Sequence, residues 1–318
     1  MIPRVKSIPN STASGSDAGV KQTPQWYTHS YNRPILYRLI TACSPFIPRP
    51  VRLGLARTIA SVLQQRMPQE EAAARRNLVR ILPGADAVAM ARIVRALFGN
   101  FAAVFTDLLS LNRQALPVLQ TYVHSVRGLE RVQATLVSGR GFVAATAHMG
   151  NWDLAGRLLS AYGRTVHVLV APEQHVAIHR LLRQRGGVPG LRFVTNDSAE
   201  GFVRLLMALR RGDIVAVQAD RITGHRSDVP VRFFGTAARF PGGPFVLAAA
   251  AQAPVLPCFC LLRPDQRYDI FVDEPIAVLR GREDVALQQM VGVLERYVAM
   301  APDQWFNFYD VWDNTFSV

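Results

Sequence analysis

The chain has 318 residues, and its 36 lysines and arginines against 23 aspartates and glutamates give a formal net charge of +13 at pH 7. Hydrophobic residues make up 49% of the chain and charged residues 19%, which excludes an intrinsically disordered protein and provides for a full core. The positive charge calls for an anionic partner such as nucleic acid, anionic lipid headgroups or an acidic protein. The high apolar fraction favours a lipid surface over nucleic acid.

Neither export nor membrane spanning is predicted. Three cysteines with no Cys-x-x-Cys pair do not form a disulfide framework, and the polar first 25 residues lack the apolar run of a signal peptide. The longest uncharged run, Phe240–Leu262, is interrupted by four prolines, and the apolar stretch Ile35–Ile47 is interrupted by Arg38. A transmembrane helix needs about 20 apolar residues, so the second stretch is interpreted as an interfacial or buried helix.

Composition divides the chain into three regions. Residues 1–25 are predicted to be a disordered tail, because they have almost no apolar periodicity. Residues 26–120 are predicted to be a helical membrane-docking region, in which apolar residues recur at helical spacing. Those residues include Val51, Leu55, Ile59, Val62 and Leu63. A cluster of arginines there is a candidate for membrane contact, although a solvated face is the simpler explanation for any single one. The cluster consists of Arg49, Arg52, Arg57, Arg75, Arg76 and Arg80.

Residues 121–318 are predicted to form an α/β core, because short apolar runs alternate there with amphipathic segments. The predicted strands are Gly141–Ala147, Thr165–Ala171, Leu191–Thr195, Asp213–Gln218, Val255–Leu262 and Tyr268–Val272. The predicted helices are Trp152–Tyr162, His175–Arg185, Ala199–Arg211, Gly243–Ala251 and Asp284–Met300. This alternation favours a central, mostly parallel or mixed sheet that is flanked by helices.

A histidine stands where open α/β sheets place their functional groups. The apolar run Phe142–Ala147 leads directly into His148, and an apolar helix begins at Trp152. Asn151 is the predicted N-cap of that helix, which puts Asp153 in its first turn. Loops at the carboxyl ends of parallel strands are the usual position of binding and catalytic groups.

His148 and Asp153 have the chemistry of a general base and its partner. Residues five apart lie on different sides of a continuous helix, so His148 is expected in the loop with its ring turned back to Asp153. The carboxylate would fix the imidazole tautomer and stabilise the imidazolium, while the other ring nitrogen removes a proton from a hydroxyl. The remaining six histidines are interpreted as surface or core residues.

A series of blocks resembles the glycerolipid acyltransferase superfamily, in particular the bacterial lipid A late acyltransferases (lauroyl and myristoyl transferases) and their glycolipid relatives. The first block is His148–Asp153, a His-x4-Asp motif after an apolar strand. The later blocks are Asp220-Arg221, Val231–Gly235, Gly243-Pro244, Ala253–Pro257, and Gln304-Trp305 with the aromatic run to Trp312. The resemblance extends in order from about Pro34 to Trp312.

The resemblance implies an acyltransferase with no cofactor and no metal. It would move a fatty acyl group from a thioester of acyl carrier protein or coenzyme A to a hydroxyl of a membrane glycolipid such as a lipid A precursor. His148 is the expected base, and the expected location is the cytoplasmic side of the cell inner membrane, peripheral or weakly anchored to its anionic surface. The expected substrate-binding residues are Asn151, Trp152, Asp220, Arg221, Arg232, Phe233, Phe234 and Gly235.

The residues of the later blocks also have physical interpretations of their own. Phe233–Gly235 predicts a turn lined with hydrocarbon, with core packing as the alternative. Arg221 and Arg232 are able to hold phosphate or carboxylate through forked donors, the alternative being ion pairs with Asp220 or Asp228. The C-terminal aromatic residues form either an interfacial belt or part of the core.

Two other functions fit the sequence. One is acyl transfer to a different lipid or a secondary-metabolite acceptor. The other is a non-catalytic basic module that binds an anionic surface and would tolerate the loss of His148. The chain has no Gly-x-Ser-x-Gly elbow, P-loop or Gly-x-Gly-x-x-Gly fingerprint, and no recognisable motif for nucleic-acid binding.

Overall fold

A layer of helices precedes the sheet. The computed structural model describes residues 41–42, 44–170, 190–195, 199–223 and 227–313. After a 3-10 turn at Ser44–Phe46, the helices are α1 (Arg49–Gln64), α2 (Pro68–Ile81), α3 (Ala87–Leu109) and the short α4 (Leu116–Thr121). α1 packs along α3. The predicted tail at 1–25 lies outside the described residues.

Within the described residues, one helical stretch is long and apolar enough to cross a membrane. It is Ala87–Arg113, which contains α3. Val94, Leu97 and Val104 of α3 are nevertheless buried in the protein core. A core helix passes the same test of length and composition, so this stretch is weak evidence for a membrane span.

The centre of the protein is a seven-stranded sheet in the order β1-β9-β8-β2-β5-β3-β4. Its strands are β1 (Val123–Arg127), β2 (Phe142–Thr146), β3 (Val166–Val170), β4 (Leu191–Thr195), β5 (Ile214–Gln218), β8 (Val255–Leu262) and β9 (Tyr268–Val272). Neighbouring strands are parallel except β8 and β9, which are antiparallel. The predicted α/β fold with a mostly parallel sheet is therefore confirmed.

The remaining elements cover the sheet or extend from it. The helices are α5 (Leu129–Val137), α6 (Trp152–Leu159), α7 (Ala199–Arg210), α8 (Gly243–Ala251) and α9 (Glu283–Met300), and a separate hairpin consists of β6 (Asp228–Phe233) and β7 (Thr236–Pro241). All six predicted strands are present, with ends that differ by a residue at most. The predicted helix His175–Arg185 lies outside the described residues.

The sequence prediction missed β1 and the β6–β7 hairpin. β1 is an edge strand whose side chains are at best half-buried, so it has no apolar alternation to recognise. Pro230 and Pro241 stand within the hairpin strands, and proline argues against a strand in a sequence-based prediction.

A buried ion pair ties the helical layer to the sheet. The guanidinium of Arg49, at the start of α1, donates to both carboxylate oxygens of Asp107 at 2.9 and 2.6 Å, and to the backbone oxygen of Gln266 at 2.6 Å. The hydroxyl of Tyr268, the first residue of β9, donates to the same carboxylate at 2.6 Å. One buried carboxylate thus joins α1, α3 and β9.

Most of the arginines predicted to face a membrane are bound to the protein itself. Arg76 and Arg80 both pair with Asp310, at 3.1 and 3.0 Å. Arg52 donates to a backbone oxygen, and Arg75 pairs with a glutamate one helical turn earlier. With the buried ion pair above, five of the six arginines in the cluster have partners within the chain.

We expect Arg49→Ala to lower the free energy of unfolding by about 3–5 kcal/mol, because it leaves Asp107 buried and without its counter-charge. Arg75→Ala is the control, since its exposed pair with Glu71 at 3.4 Å is worth only about 0.3–0.5 kcal/mol. Urea denaturation of the three proteins measures both effects. Equal losses for the two variants would contradict a structural role for the buried pair.

Candidate active site

Two neighbouring parallel strands end in register at the site. Thr146, the last residue of β2, lies opposite Gln218, the last residue of β5. The ladder continues one residue further, since the Ala219 amide donates to the Thr146 oxygen at 2.8 Å. His148 and Asp220 each follow their strand by two residues, so the two side chains meet at the carboxyl edge of the sheet.

The His148 ring is bound to a fully buried carboxylate. Its Nδ1 lies 2.7 Å from Asp220 Oδ1, and the His148 amide lies 3.0 Å from each carboxylate oxygen. Asp220 also accepts from the Trp305 indole at 3.0 Å and from the Asn307 amide at 3.1 Å. An ionised carboxylate only accepts, so the proton sits on Nδ1 and Nε2 is left as the basic nitrogen. The His148 side chain is 16% exposed.

The surroundings keep the histidine neutral and the aspartate ionised. Burial, with the nearby charge of Arg221, lowers the pKa of His148 to about 4 despite the opposing effect of Asp220. Burial acts to raise the pKa of Asp220, but His148, Arg221 and Asn307 outweigh it and lower that pKa to about 2. A neutral imidazole at pH 7 is the form that accepts a proton.

The expected pairing of His148 with Asp153 is wrong in the structure. Asp153 Oδ2 accepts from Arg157 Nε at 2.6 Å and from the Asn112 amide at 2.9 Å. Arg157 lies one turn further along α6, where residues four apart face each other. Asp153 therefore belongs to an ion pair at the start of α6, and Asp220 takes the position beside the imidazole.

The loop between β2 and α6 passes directly over β8. Gly150 has φ of +54°, and a Cβ on it would lie 2.0 Å from the backbone oxygen of Cys260, so only glycine fits there. The next amide, of Asn151, donates to the same oxygen at 2.7 Å. The Asn151 side chain accepts from the Leu154 amide at 3.1 Å, which confirms the predicted N-cap.

The C-terminal segment forms the floor of the site. The Phe306 amide donates to the backbone oxygen of His148 at 2.8 Å, and the Gln304 oxygen accepts from the Gly150 amide at 3.0 Å. Trp305 and Phe306 are buried, so core packing is the correct interpretation of this aromatic run. It also has a second role, because its backbone holds the His148 loop in place.

Two other predicted residues stand close to this group. The ring of Trp152 lies 5.7 Å from the ring of His148. Arg221 donates to the Asn307 side chain at 2.8 Å and to the Phe306 backbone oxygen at 2.6 Å. Arg221 thus fastens the C-terminal segment in addition to lowering the pKa of His148.

The β6–β7 hairpin lies behind the C-terminal segment. Phe233 is fully buried, and its ring lies 5.5 Å from that of Trp305. Phe234 and Gly235, with φ of +47° and +74°, form the two-residue turn of the hairpin, which agrees with the predicted turn. The Arg232 side chain is exposed, and within the described residues no contact is recorded between it and the His148 group.

Asn112, Trp305 and Asn307 were not predicted as site residues. Asn112 joins the elements around the loop, because its amide donates to Asn151 Oδ1 at 2.8 Å and to Asp153. Asn112 is far in the chain from the C-terminal segment that contributes Trp305 and Asn307, and a buried asparagine has no sequence signature of its own. His148 and Asp220 each stand two residues after an apolar strand, and this shared position is the sequence signal that indicates their pairing.

The His148 imidazole should titrate well below its ordinary value of about 6.5. Asp220→Asn should lower the pKa of His148 further, because the carboxylate favours the imidazolium. Asp153→Asn should leave it unchanged, because Asp153 is bound to Arg157. NMR titration of the ring resonances measures all three. A pKa that responds to Asp153→Asn and not to Asp220→Asn would restore the pairing expected from the sequence.

Comparison with known proteins gives matches over most of the chain. A model of the bacterial lipid A biosynthesis acyltransferase family matches residues 24–314. A phosphatidylinositol mannoside acyltransferase of Mycolicibacterium smegmatis is 27% identical over 253 residues, 75% of this chain and 78% of that protein. One from Mycobacterium tuberculosis is 29% identical over 190 residues, 58% of this chain and 60% of that protein. Among solved structures, the 1-acyl-sn-glycerophosphate acyltransferase PlsC of Thermotoga maritima aligns with a TM-score of 0.34 and 13% identity, covering 78% of this chain and 98% of that chain.

Proposed function

The chain belongs to the bacterial lipid A biosynthesis acyltransferase family, so it is an acyltransferase, and we propose that it moves a fatty acyl group from a thioester to a hydroxyl of a membrane glycolipid. The observation that carries this proposal is the position of the His148 ring at the carboxyl edge of the sheet, with its Nδ1 2.7 Å from the buried Asp220 carboxylate. This arrangement leaves Nε2 to act as the general base.

In the proposed reaction, His148 and Asp220 carry out the proton transfers. His148 Nε2 takes the proton of the acceptor hydroxyl as its oxygen attacks the thioester carbonyl carbon. The carbon–sulfur bond then breaks, and the departing thiolate takes the proton from the imidazolium. Asp220 holds the tautomer and stabilises the imidazolium charge, the role that the sequence prediction gave to Asp153. A thioester is already activated, so no cofactor is required.

The acceptor class is supported by the relatives. Their names describe acylation of a phosphatidylinositol mannoside, and the family is named for lipid A biosynthesis. Both acceptors carry sugar hydroxyls on a lipid anchor, so we propose a sugar hydroxyl of a membrane glycolipid, a lipid A precursor among the candidates. We also propose that the enzyme works at the cytoplasmic side of the inner membrane. Mass spectrometry of lipids from cells with and without the gene identifies the acceptor by one acyl group gained or lost, and it also distinguishes another lipid or a secondary metabolite.

We expect His148→Ala to lower kcat about 10²- to 10⁴-fold, and Asp220→Asn to lower it by a smaller factor through the tautomer of the surviving base. Asp153→Asn should affect activity less than Asp220→Asn. His167→Gln is the matched control, because His167 is also buried and lies 3.2 Å from an aspartate, Asp213, but belongs to β3. Transfer rates and thermal unfolding are measured for each variant.

Three results would contradict this assignment. One is near-wild-type acyl transfer by a His148→Ala protein that has a normal thermal transition. The same result is expected if the protein is a non-catalytic basic module. The second is a loss of activity in His167→Gln as large as that in His148→Ala. The third is a loss in His148→Ala that follows the melting temperature.

The proposed acyl donor is acyl carrier protein rather than coenzyme A. Acyl carrier protein is acidic, and complementary charge with a chain of net charge +13 accelerates encounter. Turnover with matched long-chain thioesters of the two carriers should therefore favour acyl carrier protein at low salt, and the preference should shrink as salt screens the charges. A clear preference for coenzyme A at low salt would overturn the choice of carrier and leave the chemistry intact.

A further inference from the structure

The outer face of α1 is apolar. Val51, Leu55, Ile59 and Val62 are 51–57% exposed, although they are the residues whose helical periodicity marks this segment in the sequence. The opposite face, with Leu53 and Ala60, is the one that is buried. The periodic apolar residues of α1 thus face outward, and the helix packs through its other side.

One more exposed apolar side chain precedes the helix. Phe46, in the 3-10 turn before α1, is 86% exposed. We call Phe46, Val51, Leu55, Ile59 and Val62 the α1 ridge. It consists of five large exposed apolar side chains, four of which lie on one face of α1.

One end of the ridge lies at the active-site edge of the sheet. Arg49, between Phe46 and Val51, is bound to the carboxylate that Tyr268 also contacts. Tyr268 pairs with Leu262, the last residue of β8. β8 runs parallel to β2, so its carboxyl end lies at the same edge of the sheet as His148.

The charges within α1 are all positive. No aspartate or glutamate occurs between Asp17 and Glu70, and thus none in α1. Arg66 follows α1 and is exposed, as are Arg92 and Arg95 on α3. α3 runs antiparallel to α1, with Gly99 beside Arg57 and Asp107 beside Arg49, so Arg92 and Arg95 lie towards the far end of the ridge. The structure records no ion pair for these three exposed arginines within the described residues.

We propose that the α1 ridge inserts into the headgroup region of an anionic lipid bilayer, which rests on the proposed function because the acceptor there is a membrane lipid. An apolar helix face flanked by basic residues and free of acidic ones is typical of helices that lie in the membrane interface. A second copy of the chain, or a partner protein, would cover the apolar row without any need for this excess of positive charge. Anionic lipid is therefore the occupant that both features fit.

The sequence predicted that the arginine cluster would contact the membrane. Five of those six arginines are bound within the chain, so the ridge, and not the cluster, supplies the contact. Binding should consequently have two parts. The attraction of Arg66, Arg92 and Arg95 is screened by salt, whereas the burial of apolar side chains persists at high salt.

The test is sedimentation of the full chain with vesicles of phosphatidylglycerol and phosphatidylcholine, at low and high salt. The double variant Leu55→Asp/Ile59→Asp should lower the partition constant at least about tenfold, since it removes two apolar anchors and adds two negative charges. Val137→Asp is the matched control, because Val137 is 87% exposed on α5, outside the ridge, and it should lower binding far less. Leu55→Ser/Ile59→Ser repeats the test without the added charge, and thermal unfolding verifies that each variant is folded.

Loss of binding in both ridge variants, with near-normal binding of Val137→Asp, would support the proposal. Wild-type binding by the ridge variants would overturn it, and so would a change in their oligomeric state without loss of binding, which would assign the ridge to a second copy. His148→Ala should bind vesicles like the wild type. The vesicle assay involves no acyl transfer. The ridge variants therefore test membrane binding, and the His148 variant tests the proposed function separately.

Discussion

The site depends on the hydrogen bonding of one buried carboxylate. Asp220 accepts from the backbone amide and the ring of His148, from the Trp305 indole and from the Asn307 amide. A buried charge is tolerated only when its hydrogen bonds are made, so the loop after β2 and the C-terminal segment must both be in place for this aspartate to be stable. Asn77 of α2 extends the dependence, because its amide donates to the backbone oxygen of Asn307 at 3.1 Å.

A second buried carboxylate, Asp107, joins the helical layer to the sheet. It holds Arg49 of α1 and Tyr268 of β9, while Asn112, a few residues further along the chain, is hydrogen-bonded to the N-cap Asn151. The loop that carries His148 is thus held by residues close to two buried acids, each of which is bound to several segments. Buried charges of this kind contribute little net stability compared with apolar packing. Their consequence here is geometric, since each fixes which segments meet at the carboxyl edge of the sheet.

The sequence was sufficient for the parts of the site that local pattern determines. An apolar strand that leads into His148, and the N-cap at Asn151, follow from neighbouring residues, and so do the central strands. The partner of His148 depends on which strands are adjacent and in what register, and spacing within one segment contains no such information. Asp153, five residues away, was therefore chosen over Asp220, which is 72 residues away but follows an adjacent strand in register. The half-buried edge strand β1 was missed for a related reason, because its burial depends on its position in the sheet.

In the helical layer, the composition of the sequence does not determine which side chains are exposed. The net charge of +13 indicates an anionic partner, but it does not say which arginines remain available, and several of them neutralise acids within the fold. Apolar periodicity likewise identifies an apolar face of a helix, but it does not determine whether the rest of the protein covers that face. In α3 it is buried in the core, whereas the row through Leu55 and Ile59 of α1 is exposed. The proposed reaction on a membrane lipid needs an apolar surface close to the proposed base, and α1 begins at the same edge of the sheet as His148. The apolar pattern that builds the core in α3 is therefore exposed in α1, where the proposed contact with a bilayer would cover it.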